Sequence, residues 1–187
     1  MARPKQFDPD VAVEQAMEVF WRKGYAATTP QNLADAVGIG MGSLYNAFGS
    51  KRALFEQALS RYVDVRLRAL SELLEEPTPV KERLRKALVF MAEEGARGCM
   101  VVNTAGELAG TDEEAVRVVR RDFDLVESVF QALIEEGQRA GEIAPERDPV
   151  PLGSMLLSIM VGLRLLARVT EEPGRLRRVI DATVDSL

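Results

Sequence analysis

The chain contains no histidine and a single cysteine, Cys99, so the side chains that most often do covalent or metal chemistry are nearly absent. Without histidine there is no histidine-based triad and no histidine-containing zinc site. The glycines of Gly38-Ile39-Gly40-Met41-Gly42 follow no strand and read as a turn, not as a phosphate-cradling loop. The carboxylates Glu113/Glu114 and Glu135/Glu136 are explained by helix capping and solvated faces. These observations argue against an enzyme and imply no cofactor and no metal. What remains is recognition chemistry. Residues 29–48 read as helix, tight glycine turn, helix: the spacing of a helix-turn-helix, whose second helix is the candidate reading element. The same spacing also occurs in any small helical bundle.

The surrounding elements are helical almost throughout, and no segment alternates apolar and polar residues as a strand does. Asp8-Pro9 opens a first helix with Ala12, Ala16, Val19 and Phe20 on one face, and Gly24 stops it. Thr29-Pro30 opens a second helix through about Val37; Gly38 breaks it and Met41–Phe48 resumes helical spacing. Ser50 caps a long helix that turns Phe55, Leu59, Tyr62, Leu70 and Leu73 inward. After Glu76-Pro77-Thr78-Pro79, Val80, Leu84, Leu88 and Met91 form the stripe of a helix ending near Gly95–Gly98, and a short helix covers much of Val101–Ala109. Thr111-Asp112-Glu113-Glu114 reads as a capping box. The long helix it opens carries a seam of Val116, Val119, Phe123, Val126, Phe130 and Leu133. Further helices follow from Pro149 to Val169 and from Pro173-Gly174 to Leu187. The expectation is an all-α fold of about nine helices.

Three runs in the N-terminal third are more specific. They are Phe20-Trp21-Arg22-Lys23-Gly24-Tyr25-Ala26-Ala27-Thr28-Thr29, Leu33-Ala34-Asp35-Ala36-Val37-Gly38-Ile39, and Gly42-Ser43-Leu44-Tyr45-Asn46-Ala47-Phe48-Gly49-Ser50-Lys51-Arg52-Ala53-Leu54-Phe55. Together they closely resemble the DNA-binding domain of the TetR/AcrR family, in register over roughly residues 7–62. The resemblance implies a helix-turn-helix DNA-binding domain over residues 1–52 and a helical ligand-binding and dimerisation domain over residues 53–187. It further implies a homodimeric transcriptional regulator, here a repressor, bound to a pseudo-palindromic double-stranded operator. A small apolar or amphiphilic effector in the second domain would release it.

Carried onto this chain, the resemblance places Thr29 at a helix N-terminus where hydroxyl and backbone N–H meet a phosphate. Met41, Gly42 and Ser43 become the first exposed positions of the reading helix, with Asn46 one turn later. Asn46 suits bidentate pairing with adenine. Tyr45 and Lys51 match backbone-contacting positions, Tyr45 with packing as its other reading. Arg3 and Lys5 read either as a DNA-reaching arm or as a solvated tail. Two positions depart from the family pattern. Gly40 stands where a Ser or Thr cap is common, at a cost of about a few tenths of a kcal/mol. Met41 stands where lysine is frequent, which trades a phosphate contact for an apolar one such as a thymine methyl.

In the second domain the resemblance implies a ligand cavity, with Phe90, Met91, Met100, Asn103, Phe123, Phe130 and Met155 as candidate lining; plain core is the other reading of its aromatic and Met members. Arg97-Gly98-Cys99-Met100-Val101-Val102-Asn103-Thr104-Ala105 resembles a stretch in one branch where a nearby cysteine senses oxidants or electrophiles. The apolar neighbours of Cys99 favour instead a buried, inert thiol. The last two helices match the dimerisation surface: Ser154, Ser158 and Gly162 recur every four residues, with Leu156, Leu157, Met160, Leu163 and Leu166 as apolar area.

Charge supports this division without proving it. The net charge is -5, yet residues 1–52 carry six basic against five acidic residues, while residues 53–187 carry 18 against 24. The acidity therefore lies in the part that need not approach phosphates. The N-terminus lacks an apolar signal segment and one cysteine suits a reducing compartment, so the expectation is a cytoplasmic protein. The apolar run Val150–Val161 is too short to span a bilayer, so no membrane partner is expected. The rival outside the regulator class is a helical sensor or adaptor that does not bind DNA.

Overall fold

Helix starts are set by capping side chains followed by proline or good helix formers. A computed structural model describes residues 7–92 and 97–187, and among the described residues it contains nine helices and no strand. They are α1 (Pro9–Lys23), α2 (Pro30–Val37), α3 (Met41–Phe48), α4 (Lys51–Leu74), α5 (Val80–Ala92), α6 (Met100–Leu108), α7 (Glu113–Arg139), α8 (Pro149–Ala167) and α9 (Pro173–Asp185). Asp8, Thr29 and Ser50 cap α1, α2 and α4 through side-chain oxygens, as their sequence contexts predict. The cap of α7 is shifted by one residue. Asp112, not Thr111, accepts from the Ala115 N–H, while the Thr111 hydroxyl donates to the Leu108 carbonyl. A carboxylate competes well for a helix N-terminus because it also complements the helix dipole.

Two apolar cores organise these helices. The first joins Ala16 and Phe20 of α1, Leu33 of α2, Leu44 and Phe48 of α3, and Phe55 and Leu59 of α4 to Met100 of α6 and Val119 of α7. The second joins Leu70 of α4, Leu84 and Leu88 of α5, Phe130 and Ile134 of α7, Leu156 and Met160 of α8, and Ile180 and Val184 of α9. Helices α4 and α7 pass through both. Each carries a charged residue, Arg66 or Asp122, at the level between the cores.

The long α7 seam is observed with Val119, Val126, Phe130 and Leu133 buried and Val116 and Phe123 half-buried. On α8 the inward residues are Leu152, Leu156, Met160 and Leu163. Leu156, Met160 and Leu163 therefore fill the chain's own core and offer no area to a second subunit. The exposed face of α8 carries Val150, Ser154, Ser158 and Leu165 instead. This helix also runs beyond Val161 to Ala167, because Arg164 turns inward without interrupting it. It is long and apolar enough by length and composition to cross a membrane, and it packs one side along α7, α5 and α9. Arg3, Lys5 and part of the expected end of α5 lie outside the described residues.

Leu84 has no exposed surface and touches the helices of the second core. Truncating such a side chain removes its transfer free energy and leaves a cavity. Leu84→Ala is expected to lower unfolding stability by about 2–5 kcal/mol in urea denaturation. A loss under about 1 kcal/mol would show that α5 is not a core helix.

Candidate nucleic-acid interface

Helices α2 and α3 meet at Gly38, which adopts φ 72° and ψ 28°, a left-handed conformation that a side chain would disfavour. The Gly38 and Ile39 N–H groups both donate to the Ala34 carbonyl, closing α2 tightly before α3 begins. Leu33 and Ala34 on α2 and Leu44 and Phe48 on α3 are buried, so the pair is locked from one side. The opposite side of α3 presents Met41, Gly42, Ser43 and Asn46 to solvent, with Met41 45% exposed. Tyr45 is half-buried between these faces. Gly40 caps α3 with backbone alone, leaving its first N–H groups without a side-chain acceptor.

At the start of α2 the cap is reciprocal. Thr29 Oγ1 accepts from the Asn32 N–H at 3.2 Å, and Asn32 Oδ1 accepts from the Thr29 N–H at 3.2 Å. Lys23 Nζ also donates to Asn32 Oδ1 at 2.9 Å, which brings a cation to the same helix end. Asn32 and Lys23 escaped sequence reasoning, although an amide three residues after a cap is the available signal. Lys51 Nζ lies 4.3 Å from the centroid of the Tyr25 ring, and both residues are half-buried. The aromatic face holds this ammonium near the end of α3, where a flexible lysine would otherwise sample many positions.

The helix-turn-helix is also tethered to the rest of the chain. The Glu107 carboxylate on α6 accepts from the N–H groups of Tyr25 at 2.9 Å and Ala26 at 2.6 Å, in the turn between α1 and α2. Gly24 makes that approach possible. It adopts φ 78°, and a Cβ there would lie 2.8 Å from Glu107 Oε2. Trp21 Nε1 donates to the Gly98 carbonyl at 2.6 Å, and the Arg97 guanidinium lies 4.0 Å from the Trp21 ring while pairing with Glu18 at 3.0 Å. Arg52 at the start of α4 pairs with Asp112, the cap of α7. These partners are tens of residues apart, so no local pattern announces them.

Between the two cores a small cavity is lined by Tyr62 and Arg66 of α4, Phe90 and Met91 of α5, Cys99, Asp122 of α7 and Arg164 of α8. Cys99 is 1% exposed and its sulfur accepts from Arg164 Nη1 at 3.0 Å. Burial pushes the Asp122 carboxyl above its usual range, against the pull of Arg164 and Arg66. Burial likewise raises the Tyr62 phenol and lowers the Arg66 guanidinium. Of the expected lining residues, Phe90 and Met91 face this cavity. Met100 and Phe123 pack in or on the first core, Phe130 and Met155 in or on the second. Asn103 donates to the Arg97 carbonyl and accepts from Arg168. Arg66, Asp122 and Arg164 were missed because a charged residue on a helix reads as solvated until the packing is known, and Tyr62 was read as an inward residue without a cavity assigned to it.

Comparison with known proteins assigns the class. The family model for bacterial regulatory proteins of the tetR family matches residues 12–58, and that for the tetracyclin repressor-like C-terminal domain matches residues 82–183. YezE of Bacillus subtilis (strain 168), an HTH-type transcriptional regulator, is 32% identical over the full length of both chains. The HTH-type transcriptional repressor ComR of Escherichia coli (strain K12) is 30% identical over 97% of this chain and 90% of its own. Among solved structures, a cysteine-substituted form of the TetR family transcriptional regulator CifR, complexed with 26-bp double-stranded operator DNA, is 30% identical with a TM-score of 0.85. It covers 99% of both chains. The chain belongs to the TetR family of bacterial regulators. It is a DNA-binding transcriptional regulator, and its relatives are regulators rather than enzymes.

Glu107 supplies both acceptors for the α1–α2 turn, so its removal should free those amides without unfolding the core. Glu107→Ala is expected to speed hydrogen exchange at Tyr25 and Ala26 by about tenfold, for hydrogen bonds worth about 1.5 kcal/mol or more to a charged acceptor. Unchanged exchange at both amides would show that α6 does not hold the turn in solution.

Proposed function

We propose that the chain is a homodimeric repressor, with residues 1–52 reading a pseudo-palindromic operator and residues 53–187 binding a small effector and the second subunit. The observation that carries this reading is the exposed face of α3. Met41, Gly42, Ser43 and Asn46 stand free while Leu44 and Phe48 anchor the helix from behind. Asn46 offers its amide to a base edge, and Met41 offers apolar contact to a thymine methyl. Thr29, at the N-terminus of α2, and Lys51, held over Tyr25, contact phosphates and fix register. Tyr45 contributes a backbone contact from its half-buried position. The CifR complex with operator DNA supports this docking mode.

Dimerisation uses the faces of α8 and α9 that the chain leaves uncovered. On α8 these are Val150, Ser154, Ser158 and Leu165, with Leu157 and Val161 half-exposed beside them. Small residues at 154, 158 and 162 let a second helix approach closely. Two reading helices on a two-fold axis then match operator half-sites about 34–36 Å apart.

The effector is a small apolar or amphiphilic molecule that enters the cavity between the cores. Helix α4 lines that cavity with Tyr62 and Arg66 and begins two residues after α3 ends, so it couples occupancy to the spacing of the reading helices. Release follows only from the effector's differential affinity for the two spacings.

Selection from a random DNA pool is expected to recover a pseudo-palindrome. Asn46→Ala should relax one position per half-site at a cost of about 1–3 kcal/mol. No enrichment at low salt would favour the sensor-adaptor reading. Lys51→Ala should weaken binding to all sequences alike and reduce the slope of log K against log salt by about one. Sedimentation at micromolar concentration should give a dimer; a monomer would refute the two-fold arrangement.

A further inference from the structure

We propose that the effector is an organic anion: a small carboxylic acid with an apolar tail, whose carboxylate pairs with Arg164. The inference rests on the effector-release reading above and adds the charge and shape of the molecule.

Arg164 lies on α8 facing the layer between the cores and is 4% exposed. Its guanidinium places a positive charge in that buried layer. Among the described residues its hydrogen-bond partner is one sulfur, Cys99 Sγ, at 3.0 Å, and its Nε has none. Sulfur is a weak acceptor, and a buried guanidinium with this little compensation favours an anion that can take two parallel N–H bonds. Asp122 faces the same space and attracts Arg164 by charge, but among the described residues no hydrogen bond joins the two. That carboxyl is itself poorly solvated, with its acidity weakened by burial, so it balances the guanidinium incompletely.

The remaining walls specify what is attached to the anion. The apolar lining includes Val63, Leu67, Leu70, Phe90, Met91 and Val126. The cavity has room for about 20 Å³, one water's worth. Leu67 and Leu70 also line an apolar groove of about 490 Å³ between α4 and α7, where Leu74, Leu125 and Val129 continue the surface. A carboxylate on Arg164 therefore directs its tail toward this groove, past α4. Admitting it requires α4 to move from α7. The acid-bound form then shifts α4, the helix that directly follows α3.

The test uses the full chain and pairs of probes that differ only in charge: hexanoate against hexanamide, and 4-phenylbutanoate against 4-phenylbutanamide. Binding is read by calorimetry without DNA, and release by fluorescence anisotropy on operator recovered by selection. At least one acid should bind about a hundredfold more tightly than its amide. Arg164→Gln should abolish that preference, and Arg164→Lys, which keeps charge but loses the planar fork, should retain part of it. Equal affinity of acids and amides, or absence of binding by both acids, would overturn the proposal whether or not the variants fold. Release by the amides but not the acids would overturn it while leaving effector-controlled release intact. Arg164-dependent binding of an acid without loss of operator would uphold the site and refute the release reading.

Discussion

Two helices, α4 and α7, pass through both apolar cores, and this shared membership is the constraint on which the other features depend. Phe55 and Leu59 of α4 belong to the first core and Leu70 to the second; Val119 of α7 belongs to the first and Phe130 to the second. Close-packed interiors do not deform continuously, so a shift of either helix in one core must be accommodated in the other. The layer between the cores is where that packing changes character. Arg66, Asp122 and Arg164 replace apolar contacts there with desolvated charge, and a small cavity takes the place of side-chain volume. Charges of this kind add little net stability and depend strongly on what sits beside them.

The same constraint explains how the helix-turn-helix is oriented. Leu44 and Phe48 join α3 to the first core, but its aim relative to the rest of the chain is set by groups from distant sequence. Glu107 holds the α1–α2 turn, Gly98 accepts from Trp21, and Arg97 spans Trp21 and Glu18. These tethers come from α6 and the residues just before it, next to the Cys99–Arg164 contact in the polar layer. Exposed ion pairs contribute little individually. Here their role is geometric: they convert a small module into one whose direction follows that of α6.

Much of the fold was legible in the residues. Caps at Asp8, Thr29 and Ser50, the break at Gly38 and the α7 seam act over a few residues, so their signals are local and survive in the linear pattern. The exposed positions Met41, Gly42, Ser43 and Asn46 were legible for the same reason, since one buried stripe on an eight-residue helix determines the opposite face. The cap of α7 was misplaced by one residue because Thr111 and Asp112 are both competent acceptors and only backbone geometry chooses between them.

The lining of the inner cavity was not legible beyond Phe90 and Met91. Helical periodicity assigns aromatic and methionine residues to an interior without saying which interior, so Met100 and Phe130 look equivalent although they lie in different cores. A charged residue on a helix is read as solvated, because that is its cheapest state. Only the meeting of four helices brings Arg66, Asp122 and Arg164 to one level between the cores. Leu156, Met160 and Leu163 pose the same problem on α8: an apolar helix offers faces to its own core and to a partner, and periodicity does not rank them. By itself the sequence determined the class, the helices and the exposed face of α3, because these rest on short-range caps and period. The tertiary structure decided the polar layer, the tethers and the outward face of α8, because each depends on residues that meet only when distant helices pack.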